Sequence, residues 1–302
     1  MNLGVIGLGR MGHAIAYRVI KGGFTVIGYD PIEPMRFEVE KLGATVVDNP
    51  IAVAQHTRVI WLMVPAGPLV DSIIQELLPH LKSGDVLIDG GNSHYNDSLR
   101  RAKQLADFNI HFLDCGTSGG LRGQEEGFSL MVGGDEKAYL QVYPLLQAIA
   151  APEGVGYVGP SGAGHYVKMV HNGIEYALMQ AYAEGFQLIK EGTFKDQDLD
   201  LQEITSIWMH GAVIRSWLLE LSHDIFKRDQ KLHDVSGVVD ATGMGKWTVE
   251  EAHKNNIPVK LIEDALAIRQ QSHKTGGDYA TKVVALLRHA FGGHAVHKVN
   301  EK

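Results

Sequence analysis

The sequence predicts an α/β domain, built on a parallel sheet with helices on both faces, followed by a mostly α-helical C-terminal domain. In the first half, short apolar runs alternate with amphipathic stretches of helical length, and after about residue 160 helical periods dominate. The chain has 302 residues, which suits about two domains of roughly 150 residues each. We therefore expect one domain over residues 1–160 and a second over residues 161–302.

The runs expected to form strands are short, apolar and rich in β-branched residues. They are Val5-Ile6, Val26-Ile27, Val59–Val64, Val86–Ile88, Ile110–Leu113, Leu130–Val132 and Val155–Val158. Amphipathic stretches such as Met11–Ile20 and Leu69–Leu81 separate most of them, an alternation typical of βαβ units. The pattern changes at Gly159-Pro160-Ser161-Gly162, and Ala163–Lys190 then forms one long helical period. We place the domain boundary there.

Composition and charge restrict the classes of function. Lys+Arg number 28 against 35 Asp+Glu, so the net charge of −7 argues against a general nucleic-acid binder. The single cysteine, Cys115, allows no intrachain disulfide. No secretory pattern or long apolar stretch is visible, so we expect a cytoplasmic protein without a membrane partner. We interpret Cys115 as a buried apolar residue, and we expect no metal site because no Cys/His cluster has ligand spacing.

Glycine is unusually frequent, at 35 residues, and three glycines form a recognisable turn. The segment Gly7-Leu8-Gly9-Arg10-Met11-Gly12 follows the first apolar run and opens a helical pattern. In this setting the spacing is typical of a Rossmann-like dinucleotide-binding domain. The first glycine makes the turn, the second admits the pyrophosphate, and the third permits close packing of the helix. The N-terminus of the helix offers N–H groups to the phosphates.

An acidic residue, Asp30, ends the second apolar run eighteen residues after Gly12. A carboxylate near this position hydrogen-bonds the ribose hydroxyls of the adenosine and repels a 2′-phosphate. Asp30 therefore favours NAD over NADP. Arg36 is close enough in sequence to keep NADP open as the alternative cofactor.

The long helical period begins with a face of polar side chains. At about 100° per residue, the side chains of His171, Asn172, Glu175 and Tyr176 all lie within about 80° of Lys168. A solvated stripe is one interpretation of this face. The other is catalytic, because a lysine whose pKa is lowered by burial can act as a general base, and a buried carboxylic acid can return a proton. Such a pair suits hydride abstraction from an alcohol followed by a second proton transfer.

Together these motifs resemble those of the decarboxylating 6-phosphogluconate dehydrogenases, within the β-hydroxyacid dehydrogenase superfamily. The resemblance runs nearly end to end. It rests on Gly7–Gly12, Asp89-Gly90-Gly91-Asn92-Ser93, Gly116-Thr117-Ser118-Gly119-Gly120, Lys168–Tyr176, Gly245-Lys246-Trp247-Thr248 and Arg288–His294. The chain lacks the long C-terminal helical repeat of the better-known members. It therefore resembles the short branch of the family, which often prefers NAD.

The resemblance implies oxidative decarboxylation of 6-phosphogluconate, a step of the pentose phosphate pathway, to ribulose 5-phosphate and CO₂ with reduction of NAD. It implies that Lys168 is the general base and that Glu175 protonates C1 of the enediol. The candidate catalytic residues are Lys168, Glu175, Asn172 and His171. Beyond the glycine-rich turn and Asp30, the candidate cofactor contacts are Val64, Pro65, Ala66 and Asn92. The implied substrate contacts are Asn92, Ser118, Gly119, Gly120, His171, Asn172, Tyr176, Arg269, Arg288 and His294.

Three of those substrate contacts, Tyr176, Arg269 and Arg288, match phosphate contacts of the family, and guanidinium groups suit a phosphate dianion. One position departs from the pattern, because the family's phosphate-binding lysine falls on Thr242. In the family, the tail that carries Arg288 and His294 completes the active site of a neighbouring subunit. The resemblance therefore implies a homo-oligomer, a dimer or a tetramer, with a tail-completed site.

Two other functions fit part of the sequence. A related enzyme could act on an unphosphorylated 3-hydroxy acid without decarboxylation, because Lys168 and Asn172 fit both activities. Such a substrate would offer no dianion to Arg269 and Arg288. A non-catalytic dinucleotide-sensing module is the second alternative, and it would not need Lys168 and Glu175 on one face of a helix.

Overall fold

The computed structural model describes residues 1–241 and 243–299, and its contacts divide the chain into two compact units, Met1–Met169 and Val170–Lys302. The described strands are β1 Asn2–Ile6, β2 Thr25–Tyr29, β3 Thr45–Val46, β4 Val59–Leu62, β5 Val86–Asp89, β6 His111–Ser118, β7 Phe128–Gly134 and β8 Ala150–Gly159. They form one sheet in the order β3-β2-β1-β4-β5-β6-β7-β8. All of them belong to the first unit.

Helices connect most of these strands. They are α1 Arg10–Lys21, α2 Glu33–Glu40, α3 Pro50–His56, α4 Pro68–Leu77, α5 Tyr95–Ala106, α6 Gly123–Glu126 and α7 Glu136–Ile149, with 3₁₀ turns at Leu78–His80 and Gly120–Arg122. The helix α8, Ala163–Glu191, begins in the first unit and continues into the second. The predicted α/β domain with a following helical region is confirmed.

The sheet differs from the predicted one at two places. Strand β7 pairs antiparallel with β6, over the register Leu113↔Gly134 to Ser118↔Ser129, so the sheet is not wholly parallel. Apolar runs of similar length form parallel and antiparallel strands alike, which is why the sequence pattern did not reveal the direction. The sequence also gave no sign of β3, which is two residues long and pairs only with β2.

The central strands bury side chains on both faces of the sheet. In β4, Val59 and Trp61 belong to one apolar cluster, whereas Ile60 and Leu62 belong to another. Successive side chains of a strand point to opposite faces, so the two clusters lie on opposite sides of the sheet. A strand buried on both faces is typical of a parallel sheet covered by helices. This rigid core positions the loops that follow the carboxyl ends of the strands.

The second unit is helical in its described part. Besides most of α8, it contains α9 Leu201–Met209, α10 Trp217–Arg228, α11 Met244–Lys254, α12 Lys260–Thr275 and α13 Tyr279–Gly292. Its core surrounds Phe186 of α8, which packs edge-on against Phe226 at 4.8 Å between ring centroids. Within residues 1–241 and 243–299, none of the helices is both long and apolar enough to span a bilayer.

Candidate active site

The glycine-rich turn between β1 and α1 has the geometry of a phosphate-binding loop. Gly7 has a φ of +93°, and a Cβ there would lie 2.3 Å from the carbonyl oxygen of Met63. A Cβ on Gly12 would lie 1.8 Å from the carbonyl oxygen of Gly7. A Cβ on Gly9 would meet no atom within 4 Å, so the backbone there faces open space. The three glycines thus have the separate roles expected for a turn, an approach to the ligand and close packing.

Asp30 lies beside this turn and is hydrogen-bonded to it. Its Oδ2 accepts the N–H of Leu8 at 2.8 Å, and its Oδ1 accepts the N–H of Ile32 at 2.8 Å. Each carboxylate oxygen has a further lone pair with which it could accept a ribose hydroxyl. Arg36 donates from Nη1 to the carbonyl oxygen of Asp30 at 2.6 Å. The guanidinium of Arg36 therefore reinforces the position of Asp30.

The other candidate cofactor contacts lie at the same edge of the sheet. Val64, Pro65 and Ala66 follow β4, and Asn92 follows β5. Because β1, β4 and β5 are parallel neighbours, the loops after their carboxyl ends lie side by side. Ligands of open α/β sheets bind outside these ends. A cavity of about 290 Å³ opens beside the glycine-rich turn, with Arg10, Met11 and Gly120 among its lining residues. These residues fit a dinucleotide.

A buried charge network supports the loop that carries Asn92. Arg101, which is 0% exposed, donates to Asp89 Oδ2 at 3.1 Å and to Asp71 Oδ1 at 2.8 Å. Ser93 donates its hydroxyl to Asp89 Oδ2 at 2.7 Å. Asp89 and Ser93 flank Asn92 in the sequence, so the network fixes both ends of the loop. Sequence patterns do not reveal that Arg101 supports this loop, because Arg101 lies on α5.

Lys168 lies on α8 in the first unit and is only 5% exposed. Its Cβ packs directly on β6, because a Cβ on Gly116 would lie 2.4 Å from it. The candidate substrate contacts Ser118, Gly119 and Gly120 follow Gly116 at the end of the same strand. A lysine can act as a base where burial removes water from its ammonium group, because the neutral amine is then favoured. The structure therefore places Lys168 against β6, the strand that leads into the Ser118–Gly120 segment.

The other polar residues of the face predicted on α8 lie in the second unit. His171 Nδ1 lies 2.9 Å from Asn172 Oδ1 and 3.9 Å from Glu175 Oε2. Asn172 also contacts Met244 Sδ through Nδ2 at 3.4 Å. These residues of the predicted face are therefore connected, partly exposed polar side chains, and their catalytic role stays a prediction.

Two sequence motifs of the second unit pack against each other. A Cβ on Gly173 would lie 2.7 Å from Thr248 Cγ2, and a Cβ on Gly245 would lie 2.5 Å from the Tyr176 ring. The glycines of both motifs are thus required because α8 and α11 approach so closely. Lys246, next to Gly245, forms an exposed i,i+4 pair with Glu250 at 3.5 Å. Thr242, the departure from the family pattern, lies outside the described residues.

Arg269 is a buried cation without a carboxylate partner in the described chain. It is 1% exposed, and its guanidinium carbon lies 3.3 Å from the centroid of the Tyr176 ring. Its Nη1 and Nη2 have no hydrogen-bond partner among residues 1–241 and 243–299. Burial is the main reason that the pKa of Arg269 falls to about 10; nearby Arg288 lowers it as well, whereas Tyr176 and Glu175 raise it. The structure therefore brings the three predicted phosphate contacts into one group.

The tail after α13 folds back on its own unit. His294 packs edge-on against Phe291 at 6.1 Å between ring centroids, and its carbonyl lies 2.8 Å from His289 Nδ1. Further along, Lys298 pairs with Val235 in an antiparallel bridge. Arg288 lies near enough to Arg269 of the same unit to lower its pKa. The completion of a neighbouring subunit's site by this tail stays a prediction.

Cys115 adds no nucleophile to this site. Cys115 is fully buried in β6, and burial raises the pKa of its thiol above the ordinary value. A buried thiol of this kind is a packing residue rather than a nucleophile. Within the part of the chain that the structure describes, no group of three or more His, Cys, Asp or Glu residues could hold a metal ion.

A glycine-rich turn at the start of a mostly parallel sheet, with an acidic residue at the end of the second strand, defines a dinucleotide-binding domain. With a buried lysine and a helical unit, these features indicate the class of nicotinamide-dependent dehydrogenases. Residues 2–159 match the family model described as the NAD binding domain of 6-phosphogluconate dehydrogenase, and residues 164–301 match its C-terminal domain. The chain belongs to the 6-phosphogluconate dehydrogenase family.

Individual relatives agree with this placement. The chain is 45% identical to an NAD(+)-dependent, decarboxylating 6-phosphogluconate dehydrogenase of Haloferax volcanii, over 100% of both chains. It is 40% identical to an NAD(+)-dependent, decarboxylating 6-phosphogluconate dehydrogenase of Bacillus subtilis, over 90% of this chain and 61% of that longer one. Among solved structures, it resembles a 6-phosphogluconate dehydrogenase of Plasmodium falciparum with a TM-score of 0.82 and 29% identity, over 96% of this chain and 70% of that one. The predicted family and fold class are confirmed.

Proposed function

We infer that the chain is an NAD-dependent, decarboxylating 6-phosphogluconate dehydrogenase. The observation that carries this inference is Arg269, whose buried Nη1 and Nη2 lack partners in the described chain and lie near a second arginine, Arg288. Burying an unpaired cation is costly unless a ligand compensates it. A phosphate dianion, with oxygens that can accept from both nitrogens of a guanidinium fork, provides that compensation.

The arginine pair also separates the two dehydrogenase functions. An unphosphorylated 3-hydroxy acid has one carboxylate, which the backbone N–H groups at the Ser118–Gly120 turn would bind. It leaves nothing for Arg269 and Arg288. A sugar acid that is phosphorylated at the far end supplies both groups.

The proposed chemistry begins with Lys168. Its neutral amine removes the proton from the C3 hydroxyl, and bound NAD would accept the hydride from C3. The resulting 3-keto acid loses the carboxyl carbon as CO₂, the electron pair of the broken bond forms a C=C bond between the former C2 and C3, and the Lys168 ammonium gives its proton to the former carbonyl oxygen, which yields an enediol. Glu175 then donates a proton to C1 of this enediol, the former C2, while Lys168 takes back the hydroxyl proton at the neighbouring carbon, which gives ribulose 5-phosphate.

The neighbours of Glu175 have supporting roles. His171 and Asn172 hydrogen-bond each other beside Glu175, and we assign them to the hydroxyl groups of the substrate and to the orientation of the acid. His294 and Asn92 are assigned to substrate contacts as well. We place the cofactor domain at residues 1–160 and the substrate domain at residues 161–302, and these boundaries, like the residue roles, stay predictions.

One assay tests the function directly. The purified chain is mixed with NAD and 6-phosphogluconate, and the formation of NADH and the release of CO₂ are measured together. Gluconate and 3-hydroxyisobutyrate are the control substrates, and NADP is the control cofactor. We expect equal amounts of NADH and CO₂ from 6-phosphogluconate. Reduction with 3-hydroxyisobutyrate alone, or NADH without CO₂, would favour the unphosphorylated alternative.

We also propose that the protein is a homo-oligomer in which α8 contacts a second copy. In the second unit, the exposed positions Ile174, Leu178, Ala181, Gly185 and Leu188 follow a spacing of four and three residues. This spacing is typical of a helix that packs along another helix, and we call these five positions the seam. The small Ala181 and Gly185 would let two helices approach closely. The cytoplasmic location expected from the sequence stays a prediction.

The seam is tested by measuring the molar mass in solution. The paired change Ala181→Lys and Leu188→Lys places two charges on the seam, and we expect the wild-type oligomer to dissociate. Leu140→Lys changes another exposed leucine, on α7, and is the control, which should keep the oligomer intact. A monomeric wild type, or an oligomer that survives the paired change, would contradict the proposal.

A further inference from the structure

Helix α8 begins without a capping side chain of its own. The residue just before it is Gly162, whose φ is +89° and which has no side chain to accept the first N–H groups. The first N–H groups of a helix need partners from outside the helix. A partner is especially important here because Lys168 lies only one and a half turns further along α8.

The missing cap is supplied by a residue 48 positions earlier in the chain. Asp114 of β6, which is fully buried, accepts the N–H of Gly162 through Oδ1 at 2.6 Å and the N–H of His165 through Oδ2 at 2.8 Å. These are the bonds that an N-cap side chain and its partner normally make within one helix. The carboxylate also lies at the positive end of the helix dipole, where a negative charge is favourable.

The backbone contacts around Asp114 leave α8 little freedom to shift. A Cβ on Gly164 would lie 2.2 Å from the carbonyl oxygen of Asp114, and a Cβ on Gly133 would lie 2.6 Å from the nitrogen of Gly164. The first turn of the helix therefore rests directly on the backbone of β6 and β7. A movement of this turn would carry Lys168 with it.

Strand β6 connects the capping residue of α8 to Lys168 and to the candidate substrate contacts. Asp114, Gly116 and Ser118 alternate along β6 and so share one face of the strand. On that face Asp114 caps α8, Gly116 contacts the Cβ of Lys168, and Ser118 is a candidate substrate contact. A hydrogen bond also joins α8 to α5, since Ser98 Oγ lies 2.7 Å from His165 Nδ1. We propose that Asp114 is a positioning residue, which fixes Lys168 relative to the Ser118–Gly120 segment.

The proposal rests on the proposed dehydrogenase activity, and Asp114→Asn tests it. An amide keeps the shape but has one acceptor oxygen, so one of the two N–H bonds is lost. We expect kcat for 6-phosphogluconate oxidation to fall about 10- to 100-fold, since small misplacements of a reacting group are that costly. KM for NAD should change less than about twofold. Hydrogen exchange of the peptide over residues 161–169 should quicken, whereas exchange in α1 should not.

The matched control is Asp135→Asn, because Asp135 caps α7 by accepting the N–H of Ala138 at 2.8 Å. A cap loss of purely structural consequence would lower stability in both variants and leave kcat alone in both. If Asp114→Asn does not fold, Gly116→Ala takes its place, with Gly156→Ala as control because a Cβ there meets open space. Gly116→Ala must displace Lys168, so kcat should again fall with KM for NAD retained.

The outcomes separate the two proposals. A wild type that does not oxidise 6-phosphogluconate contradicts the dehydrogenase function, whatever the variants do. An active wild type with an unchanged kcat in Asp114→Asn or Gly116→Ala overturns the positioning role of Asp114. Unchanged exchange at residues 161–169 in Asp114→Asn overturns it as well, without reference to activity.

Discussion

Two buried arginines, one in each unit, have opposite surroundings. Arg101 in the first unit is surrounded by acceptors, and it bonds to Asp71, Asp89, Ser93 and the carbonyl oxygen of Gly67. Arg269 in the second unit lies on the Tyr176 ring, and its Nη1 and Nη2 have no partner among the described residues. Burial alone therefore does not mark a functional arginine. The two arginines differ in whether acceptors among the described residues already compensate the guanidinium charge.

The contrast explains what each arginine does. Burial would raise the pKa of Asp71, but hydrogen bonds from Arg101 and Arg100 hold it below its ordinary value, as expected for a stable ion-pair network. Arg269 has the reverse situation, since burial lowers its own pKa to about 10. Arg101 stabilises a loop, and the absence of partners for Arg269 Nη1 and Nη2 among the described residues supports the proposal that this arginine binds an anionic ligand.

Arg101→Met should cost the protein the most stability. It leaves the buried Asp89 without its cation and removes one of the two arginines that pair with Asp71, and we expect the free energy of unfolding to fall by about 3–5 kcal/mol. The control is Arg100→Met, because Arg100 is exposed but also pairs with Asp71, and it should cost less than about 1 kcal/mol. Urea denaturation measures both. Equal losses in the two variants would show that burial of the network adds nothing.

The next effect is stabilisation by the substrate. At about 100 times its Kd, 6-phosphogluconate should raise the free energy of unfolding of the wild type by about 2.7 kcal/mol. In Arg269→Met the same concentration should give little stabilisation, because the phosphate has lost its buried partner. Thermal unfolding with and without 6-phosphogluconate makes the comparison, with NAD as the ligand that should stabilise both proteins alike. Equal stabilisation of both by the sugar acid would remove Arg269 from the site.

Asp30 is an intermediate case, since each of its oxygens holds one backbone N–H and can accept another hydrogen bond. Asp30→Ala removes the acceptors for the ribose hydroxyls and the repulsion of a 2′-phosphate. We expect the ratio of kcat/KM for NAD to that for NADP to fall about tenfold, or about 1.4 kcal/mol. Steady-state kinetics with both cofactors measures it. An unchanged ratio would mean that Asp30 does not set the preference.

Without ligand, the two buried arginines should differ in what they contribute to stability. Arg269→Met in the absence of ligand should change the free energy of unfolding by less than about 1 kcal/mol, because replacing a desolvated, unpaired charge with an apolar side chain is often neutral or stabilising. Urea denaturation alongside Arg101→Met tests this. A loss as large as that of Arg101→Met would mean that Arg269 is structural.

Sequence patterns predicted the parts of the site that are local. The turn at Gly7–Gly12, the acid at Asp30 and the helix Ala163–Lys190 were all visible, because each depends on spacing within one or two elements. The antiparallel pairing of β7 was not visible, since an apolar run does not show whether its strand pairs parallel or antiparallel. Nor was the cap that Asp114 provides for α8, because only the packing of β6 against the helix brings residues 114 and 162 together.

The same limit applies to Arg269. Its identity as a phosphate contact followed from the family motif, but its burial on Tyr176 without a carboxylate partner required the fold. Arg101 carried no motif at all. A sequence containing two arginines on helices gives no sign of which one is satisfied, because the partners of both come from distant elements.

Selection of a phosphorylated substrate by Arg269 is tested by one ratio of rate constants. It is kcat/KM for 6-phosphogluconate divided by kcat/KM for gluconate, measured with NAD in the wild type and in Arg269→Met. We predict that the ratio falls about 100-fold in the variant, which corresponds to about 2.7 kcal/mol, and that the rate with gluconate stays nearly constant. A ratio that is the same in both proteins, or an equal loss with both substrates, would contradict the account.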